Sequence, residues 1–313
     1  MWLLLTAASG LTTTVELQID NRPVTVAFPS CANTTVNGSV PLIISLHAWG
    51  TTAAKQQGVD NFAEYATPES CFVTAYPQGF KRAWGPAGLA GFSWNAGGCC
   101  PDASDDKVDD VLFAQHIVQT VRARFPVVHP TQLFISGLSN GGMMANRLAC
   151  ELDGITAVAA VSGPLINGTA KIGEPFACER RVPLLHIHGL KDPIVPFGGC
   201  NSTWNPPGSH ACKALHQVTK MGAFPSVEAY IERWRERNGV ATATARLGFQ
   251  NGTVSCQSWG DTAASNVTLC VASDEGHAWP GDSTLCSVGM FRCTLDMDAS
   301  AAILAFFGTL RLG

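Results

Sequence analysis

The sequence predicts an α/β protein with a mainly parallel central sheet and helices on both faces. Short apolar runs alternate with segments of helical periodicity along the chain, which is the pattern of strand–helix–strand units. Most of these runs are apolar almost throughout, as expected of strands that are buried on both faces. The 313 residues are 46% hydrophobic and 14% charged, which is enough apolar material for a large core.

The predicted elements follow one another in a regular order. Residues 15–28 alternate apolar and polar side chains around Asp20-Asn21, which predicts a β-hairpin. Further strands are predicted at 41–49, 72–76, 131–136, 155–161, 182–188, 253–259 and 266–273. Helices are predicted at 55–66, 106–125, 143–152, 225–238 and 298–310. We expect a single domain over 15–313, preceded by a degenerate signal peptide or a disordered N-terminus over 1–14.

Residues 137–141 are Gly-Leu-Ser-Asn-Gly, between a predicted strand and a predicted helix. A G-x-S-x-G in this context predicts a nucleophile elbow, a tight turn that exposes the serine hydroxyl at the start of a helix. Backbone N–H groups and the helix dipole favour the negative charge that develops there. Ser139 is therefore the candidate nucleophile, and a Gly-rich turn without a catalytic role is the alternative.

Two loops downstream of Ser139 supply the partners that a serine nucleophile needs, a base and an acid that orients the base. Asp192 follows the apolar strand that ends at His188, and His277 follows the last predicted strand. Both loops leave the carboxyl ends of their strands, where an open α/β sheet forms its site. We predict that His277 accepts the Ser139 proton and that Asp192 holds the ring in the required tautomer. The alternatives are a turn-forming aspartate and a packed loop histidine.

The attacked carbonyl oxygen becomes negative and needs hydrogen-bond donors, which together form an oxyanion hole. The first expected donor is the backbone N–H of Asn140, the residue after the nucleophile. The second is expected from the loop after the third strand, at Trp49 or, as the less favoured choice, at Ala48.

Aromatic side chains near these motifs are candidates for binding the acyl group of a substrate. They are Trp84, Phe92, Trp94 and Trp279, together with His47. Flat aromatic rings can stack on a planar acyl group at low entropic cost. Alternatively, these rings pack as the core of their loops.

Two other groups of polar side chains have competing interpretations. His186 and His188 lie two apart on a strand and could bind a metal, but no further ligands have matching spacing, so we expect a supporting role. Asp109 and Asp110 could form a carboxylate pair for acid–base chemistry, although at the start of a helix they more simply favour its dipole. We therefore expect no metal and no cofactor.

Charge and composition restrict the partners and the compartment. The net charge is −4 and the chain has no basic run, which argues against nucleic-acid binding. No apolar stretch is long enough for a membrane span, and we expect a monomer acting on an ester substrate. The twelve cysteines favour an oxidising, extracellular environment. The chain also has several Asn-X-Ser/Thr glycosylation sequons, at Asn33, Asn37, Asn167, Asn201, Asn251 and Asn266.

Cysteines that are close in sequence or on adjacent predicted strands are the first candidates for disulfide bonds. These pairs are Cys200 with Cys212, Cys286 with Cys293, and Cys256 with Cys270. Cys150, in the predicted elbow helix, is expected to pair with Cys99 or Cys100 and to tie the long 79–106 loop beside Ser139. The alternative for Cys150 is a buried free thiol.

Several short motifs occur together over about residues 15–310. They are Leu46-His47, Tyr76-Pro77-Gln78-Gly79, Trp94-Asn95-Ala96-Gly97-Gly98-Cys99-Cys100, Val108-Asp109-Asp110-Val111, Gly137-Leu138-Ser139-Asn140-Gly141-Gly142, His188-Gly189-Leu190-Lys191-Asp192-Pro193 and Gly276-His277-Ala278-Trp279-Pro280-Gly281. The set resembles the polyhydroxybutyrate depolymerase/feruloyl esterase family of α/β-hydrolases. The resemblance implies a serine esterase with Ser139, Asp192 and His277 as its triad, acting on hydroxycinnamoyl (feruloyl) or acetyl esters of polysaccharides or on aliphatic polyesters. One departure is Ala48, where the family usually has glycine.

Three hypotheses for the function remain at this point. The favoured one is a secreted serine esterase for feruloyl or acetyl esters of polysaccharides. A polyester depolymerase is the first alternative, although granule-degrading members of the family carry linker and substrate-binding domains that we do not find in this sequence. A catalytically inactive α/β-hydrolase that only binds its partner is the second, and the intact set of Ser139, Asp192 and His277 argues against it.

Overall fold

The computed structural model describes residues 12–33, 36–81, 91–165, 178–200, 225–282 and 292–310. Ten strands lie in these segments: β1 Thr13–Ile19, β2 Arg22–Phe28, β3 Val40–Leu46, β4 Val73–Pro77, β5 Val128–Leu138, β6 Ala157–Val161, β7 Leu184–Gly189, β8 Arg246–Asn251, β9 Val254–Trp259 and β10 Val267–Ala272. They form one sheet in the order β1-β2-β4-β3-β5-β6-β7-β10-β9-β8.

The middle of the sheet is parallel, as predicted. Strands β4, β3, β5, β6, β7 and β10 pair in parallel in that spatial order. The hairpins β1–β2 and β8–β9 add antiparallel strands at the two edges. Every residue of β3, β6 and β7 is buried, which explains their almost continuous apolar sequences.

Five α-helices lie in the described segments: α1 Ala53–Asp60, α2 Asp110–Arg124, α3 Asn140–Glu151, α4 Val227–Arg237 and α5 Ala299–Gly308. Helices α2, α3 and α4 share one apolar cluster with alternate strand residues such as Leu42 and Ile44. Helices α1 and α5 share a second cluster with Ile43, which points to the opposite face of the sheet. The predicted placement of helices on both faces is therefore confirmed. None of these helices is long and apolar enough to cross a membrane.

Three elements differ from the sequence prediction. Helix α1 ends at Asp60 rather than at residue 66, because Asn61 has a left-handed conformation with φ of 46°, and a short 3-10 helix follows at Phe62–Tyr65. Helix α2 begins at Asp110 rather than at residue 106, because the Asp109 carboxylate accepts a hydrogen bond from the Leu112 N–H at 2.9 Å and caps the helix there. Strand β8 is absent from the prediction because its side chains are mostly exposed and lack the alternation of a half-buried strand.

The disulfide bonds correct one prediction about the loop beside Ser139. Within the described residues the bonds are Cys31–Cys71, Cys99–Cys100, Cys150–Cys178 and Cys256–Cys270. The predicted link from Cys150 to Cys99 or Cys100 is wrong, because those two neighbours bond to each other. Cys150 instead pairs with Cys178, whose Cα atom lies 4.9 Å from its own.

The other expected cysteine pairs have mixed outcomes. Cys256 and Cys270 are opposite residues on the antiparallel strands β9 and β10, and they are bonded as expected. Cys200 and Cys293 are also disulfide-bonded. Their expected partners, Cys212 and Cys286, lie outside the described residues.

Candidate active site

Three parallel strands end at the edge of the sheet where the predicted catalytic residues lie. Ser139 directly follows β5, Asp192 follows β7 by three residues, and His277 follows β10 by five residues. Strands β7 and β10 are neighbours in the sheet. Their loops are joined by a 2.9 Å hydrogen bond from the Lys191 N–H to the Glu275 carbonyl oxygen. The fold therefore gathers all three residues at one carboxyl edge.

The backbone at Ser139 has the strained conformation of an elbow. Its φ of 56° and ψ of −118° lie outside the regions that non-glycine residues usually adopt. The Ser139 N–H donates to the Val161 carbonyl oxygen at 2.8 Å, which holds the turn against β6. Ser139 is the N-cap of α3, yet its side chain makes no capping hydrogen bond. The Ser139 hydroxyl therefore does not cap the helix.

The glycines around Ser139 permit close backbone packing. A Cβ atom on Gly141 would lie 2.1 Å from the Leu46 carbonyl oxygen, and one on Gly137 would lie 2.5 Å from the Gly141 backbone. A Cβ on Gly163, after β6, would lie 2.3 Å from the Ser139 carbonyl oxygen. The start of α3 therefore packs directly on the backbone at the ends of β3 and β6. A side chain at these positions would clash with that backbone, so glycine is required.

Asp192 and His277 are hydrogen-bonded to each other. The Asp192 Oδ2 atom lies 2.7 Å from His277 Nδ1, and Asp192 Oδ1 accepts from the Ile194 and Val195 N–H groups at 2.8 Å each. Burial alone would raise the pKa of Asp192, but the charge and hydrogen bond of His277, with His188 and the Val195 N–H, lower this pKa overall. An ionised carboxylate only accepts hydrogen bonds, so Nδ1 of His277 carries the proton and Nε2 can act as a base.

A second histidine supports the same carboxylate. His188 Nε2 lies 2.8 Å from the Val195 carbonyl oxygen and 3.4 Å from Asp192 Oδ2. His188 Nδ1 lies 3.0 Å from His186 Nε2, and both rings are buried. Burial lowers the pKa of both histidines, so both rings are uncharged at neutral pH. Among the described residues, no group of three or more potential ligands could hold a metal, and the pair instead supports the Asp192 loop.

The loop after β3 holds the second candidate oxyanion donor. The Ala48 carbonyl oxygen accepts from His47 Nδ1 at 2.8 Å, and from the Thr51 N–H and hydroxyl at 3.2 and 2.8 Å. Because a trans peptide directs its N–H away from its carbonyl oxygen, the Trp49 N–H faces away from this turn. Within the described residues, the backbone N–H groups of Trp49 and Asn140 donate to no acceptor. The left-handed residue here is Gly50, with φ of 76°, so the alanine at position 48 causes no backbone strain.

Comparison with known proteins identifies the family of this chain. A model of the phospholipase/carboxylesterase family matches residues 41–220, which is more than half of the chain. The chain belongs to the phospholipase/carboxylesterase family. Its fold is the α/β-hydrolase fold.

Several curated and solved proteins are similar to this chain. Feruloyl esterase B of Piromyces equi is 28% identical over 264 residues, which cover 82% of this chain and 42% of that protein. Feruloyl esterase C of Emericella nidulans is 35% identical over 92 residues, which cover 29% of this chain and 32% of that protein. The chain therefore spans less than half the length of these two relatives. The acetyl xylan esterase of Aspergillus awamori has a similar fold, with a TM-score of 0.53, 14% identity, and coverage of 86% of this chain and 94% of that one.

Three of the residues predicted to contact substrate are buried. His47, Trp94 and Trp279 have side chains that are at most 1% exposed, so none of them lines a cleft. The indole N–H of Trp94 donates to the His47 carbonyl oxygen at 2.9 Å, and that of Trp279 donates to the Ser300 hydroxyl at 3.0 Å. Because each indole finds an acceptor inside the protein, the whole ring can be buried. Trp84 lies outside the described residues.

The His47 ring has a structural role instead. Its Nε2 atom accepts from the Gly79 N–H at 2.8 Å and lies 3.0 Å from Gln78 Nε2. Burial lowers the pKa of His47 to about 4, so the ring is neutral and its proton is on Nδ1, facing the Ala48 carbonyl oxygen. This arrangement fixes the direction of the 48–49 peptide.

The acidic pair at the start of α2 is structural as well. Asp109 caps the helix. Asp110 is buried, with Oδ1 2.6 Å from Arg22 and Oδ2 accepting from the Asn95 N–H at 2.7 Å. The sequence carries no local signal for this contact, because Arg22 is 88 residues away.

Glu275 is a buried carboxyl group close to the Asp192–His277 pair. Its side chain is 1% exposed, and its Oε2 atom has no hydrogen-bond partner among the described residues. Burial, together with the negative charge of Asp192, raises the pKa of Glu275 to about 9, although the Thr294 N–H acts in the opposite direction. Glu275 is therefore uncharged at neutral pH and does not compete with Asp192 for the His277 proton.

Proposed function

We propose that this protein is an esterase that hydrolyses carboxylic esters through an acyl-enzyme on Ser139. The observation that carries the proposal is the 2.7 Å distance between Asp192 Oδ2 and His277 Nδ1. This pair lies at the same sheet edge as Ser139, which has a strained backbone and a hydroxyl that does not cap α3. A buried aspartate that fixes the tautomer of a histidine beside a nucleophile elbow is the arrangement that activates a serine hydroxyl.

The proposed reaction has two stages. His277 Nε2 takes the proton of the Ser139 hydroxyl while Oγ attacks the ester carbonyl carbon, and the N–H groups of Asn140 and Trp49 stabilise the negative oxygen. The intermediate collapses, and the leaving alcohol receives the proton from His277. A water molecule then repeats the sequence on the acyl-enzyme and releases the acid.

We further propose that the acyl group is hydroxycinnamoyl (feruloyl) or acetyl and that the alcohol is a polysaccharide. The support comes from the similarity to feruloyl esterases B and C. Trp94 and Trp279 do not contribute to acyl binding, since they are buried. Trp49 and Phe92 are partly exposed aromatic side chains at the loop that follows β3. We propose that the Trp49 ring, which belongs to the residue with the second oxyanion donor, stacks on the acyl group.

A pair of substrates with one leaving group tests both parts of this proposal. 4-Nitrophenyl ferulate and 4-nitrophenyl acetate differ only in the acyl group. Wild type should hydrolyse both, Ser139→Ala neither, and Trp49→Leu should lose about tenfold to a hundredfold more kcat/KM on the ferulate than on the acetate. Equal losses on the two substrates would reject stacking, and release of acid from polyhydroxybutyrate at a comparable rate would favour the polyester alternative.

We also propose that the protein is secreted and glycosylated. The disulfide bonds fit an oxidising compartment. Among the sequons, Asn33, Asn37 and Asn251 are exposed and Asn266 is half-buried, while Asn167 and Asn201 lie outside the described residues. Expression in a eukaryotic host should give secreted protein whose mass falls after treatment with an N-glycosidase, and unmodified intracellular protein would contradict this.

A further inference from the structure

Trp94 lies between the two backbone segments that carry the proposed oxyanion donors. Its backbone N–H donates to Asn140 Oδ1 at 2.8 Å, and Asn140 Nδ2 donates back to the Trp94 carbonyl oxygen at 3.0 Å. The Trp94 indole N–H donates to the His47 carbonyl oxygen at 2.9 Å. One residue therefore joins the start of α3 to the loop that holds Trp49.

This connection is sealed from solvent. Asn140 and His47 are 0% exposed and Trp94 is 1% exposed. Water cannot replace these hydrogen bonds, and breaking one leaves a buried polar group unpaired, which is unfavourable. The Asn140 side-chain amide accepts from the Trp94 N–H and donates to the Trp94 carbonyl oxygen. These two hydrogen bonds to one residue fix the plane of the amide.

We propose that the Asn140 side chain and Trp94 are positioning residues that set the separation of the two oxyanion donors, Asn140 N–H and Trp49 N–H. This inference rests on the proposed function, because the donors matter only if Ser139 attacks an ester carbonyl. Donors must lie about 2.7–3.1 Å from the oxygen that becomes charged. A misplacement of about 1 Å can cost about a hundredfold in rate.

Two variants separate the halves of this connection. Asn140→Ala removes both hydrogen bonds to the Trp94 backbone, together with the 3.9 Å contact from Asn140 Nδ2 to Cys99 Sγ, and keeps the backbone N–H donor. Trp94→Phe removes the indole N–H together with part of the ring volume, and it keeps a phenyl ring and the backbone bonds to Asn140. Because the donors act on charge that exists only in the transition state, kcat and kcat/KM should fall together, by about ten- to a hundredfold, with KM almost unchanged.

A trifluoromethyl ketone carrying the acyl part of the substrate distinguishes positioning from general loosening of the fold. Ser139 Oγ adds to its carbonyl carbon, the hydroxyl proton passes to His277, and the ketone oxygen becomes the oxyanion. Its dissociation constant should therefore rise by the same factor as kcat/KM falls. The binding of the free carboxylic acid product, in which no such addition occurs, should stay within about twofold.

Tyr230→Phe is the matched control. The Tyr230 hydroxyl donates to Asn146 Oδ1 in α3 at 2.7 Å, so this variant also deletes one buried hydrogen bond to the elbow helix with a conservative aromatic change. It should lower the melting temperature and leave kcat unchanged, so a loss of stability alone does not account for a loss of kcat in Trp94→Phe.

The inference is overturned if Trp94→Phe and Asn140→Ala match Tyr230→Phe, within about threefold, in both kcat and ketone affinity. It is also overturned if the variants lose affinity for the product acid as much as for the ketone. Failure of the proposed function gives a different result, in which wild type hydrolyses esters no faster than Ser139→Ala. Should Asn140→Ala not fold, the milder Trp94→Phe still decides between these outcomes.

Discussion

Asp192 holds His277 by one carboxylate oxygen and is itself held by the other. Oδ2 lies 2.7 Å from His277 Nδ1, while Oδ1 accepts the N–H groups of Ile194 and Val195 at 2.8 Å each. The two backbone donors leave the carboxylate a single orientation. The second terminal atom of the side chain at position 192 therefore faces His277 Nδ1. It is a carboxylate oxygen in the aspartate.

Asp192→Asn should remove nearly all activity without unfolding the protein. The Asn carbonyl would occupy the place facing the two backbone N–H groups, so its NH₂ would face His277 Nδ1. The imidazole would then carry its proton on Nε2 and could not accept one from Ser139. We expect kcat to fall about ten-thousandfold.

The same carboxylate-to-amide change at Asp109 is the control for Asp192→Asn. Asp109 caps α2, and asparagine caps helices about equally well. Asp109→Asn should therefore keep wild-type kcat, and circular dichroism should verify the fold of both variants. Retention of more than about a tenth of wild-type kcat in folded Asp192→Asn would contradict the role of this residue.

Gly141→Ala should disrupt the elbow. The added Cβ would lie 2.1 Å from the Leu46 carbonyl oxygen, so α3 or β3 would have to shift. We expect a loss of about 1–3 kcal/mol in the free energy of unfolding, and a loss of activity, because the shift displaces Ser139 and Asn140. Urea unfolding and ester hydrolysis measure the two effects.

Gly58→Ala provides the comparison for Gly141→Ala. Gly58 lies within α1, and a Cβ there would meet nothing within 4 Å. Alanine has the higher helix propensity, so this variant should be about 0.5–1 kcal/mol more stable than wild type. If both substitutions change stability in the same direction, the close approach of the Leu46 carbonyl to the elbow is not what limits position 141.

Glu275→Gln should make the stability of the protein less sensitive to pH. Burial raises the pKa of Glu275 from 4.5 to about 9, so between these values the folded protein keeps a proton that the unfolded chain releases. Each unit of rising pH in that window lowers the free energy of unfolding by up to about 1.4 kcal/mol. Glutamine is uncharged and has the shape of the protonated glutamate.

The melting temperature of Glu275→Gln should therefore exceed that of wild type by a margin that grows from pH 5 to pH 8. The margin should disappear at about pH 4, where glutamate is protonated in both states. Glu228→Gln, at an exposed position, is the control. A margin that stays constant across this range would contradict the buried, protonated state of Glu275.

The Cys150–Cys178 bond can be tested directly. Peptide mapping without reduction should recover one peptide pair that contains Cys150 and Cys178. Replacing both by alanine should lower the free energy of unfolding by about 2–4 kcal/mol, because the bond closes a loop with a sequence separation of 28. A map that joins Cys150 to Cys99 or Cys100 would contradict the structure.

The sequence predicts best where the signal is local. The Asp20-Asn21 turn has positive φ at both residues, as a two-residue hairpin requires, and the hairpin forms there. The G-x-S-x-G elbow is equally local, because its glycines and the flanking strand and helix are adjacent in the chain. The apolar runs likewise predict the buried parallel strands.

Contacts between distant residues are what the sequence does not predict. Aromatic residues in the 79–106 loop could line a pocket or fill a core, and the burial of Trp94 depends on acceptors at His47 and Asn140, about 47 residues away on either side. Cys150 had several possible partners, and only the folded chain brings Cys178 next to it. The support of Asp192 by His188 likewise depends on how the 189–195 loop closes.

Covalent labelling of the nucleophile tests the central claim most directly. Incubation with a fluorophosphonate, followed by digestion and mass spectrometry, identifies the residue that attacks. The account predicts one adduct per chain, on Ser139, absent from Ser139→Ala and formed much more slowly by His277→Ala. An adduct on another residue, or no adduct in folded protein that still hydrolyses esters, would contradict it.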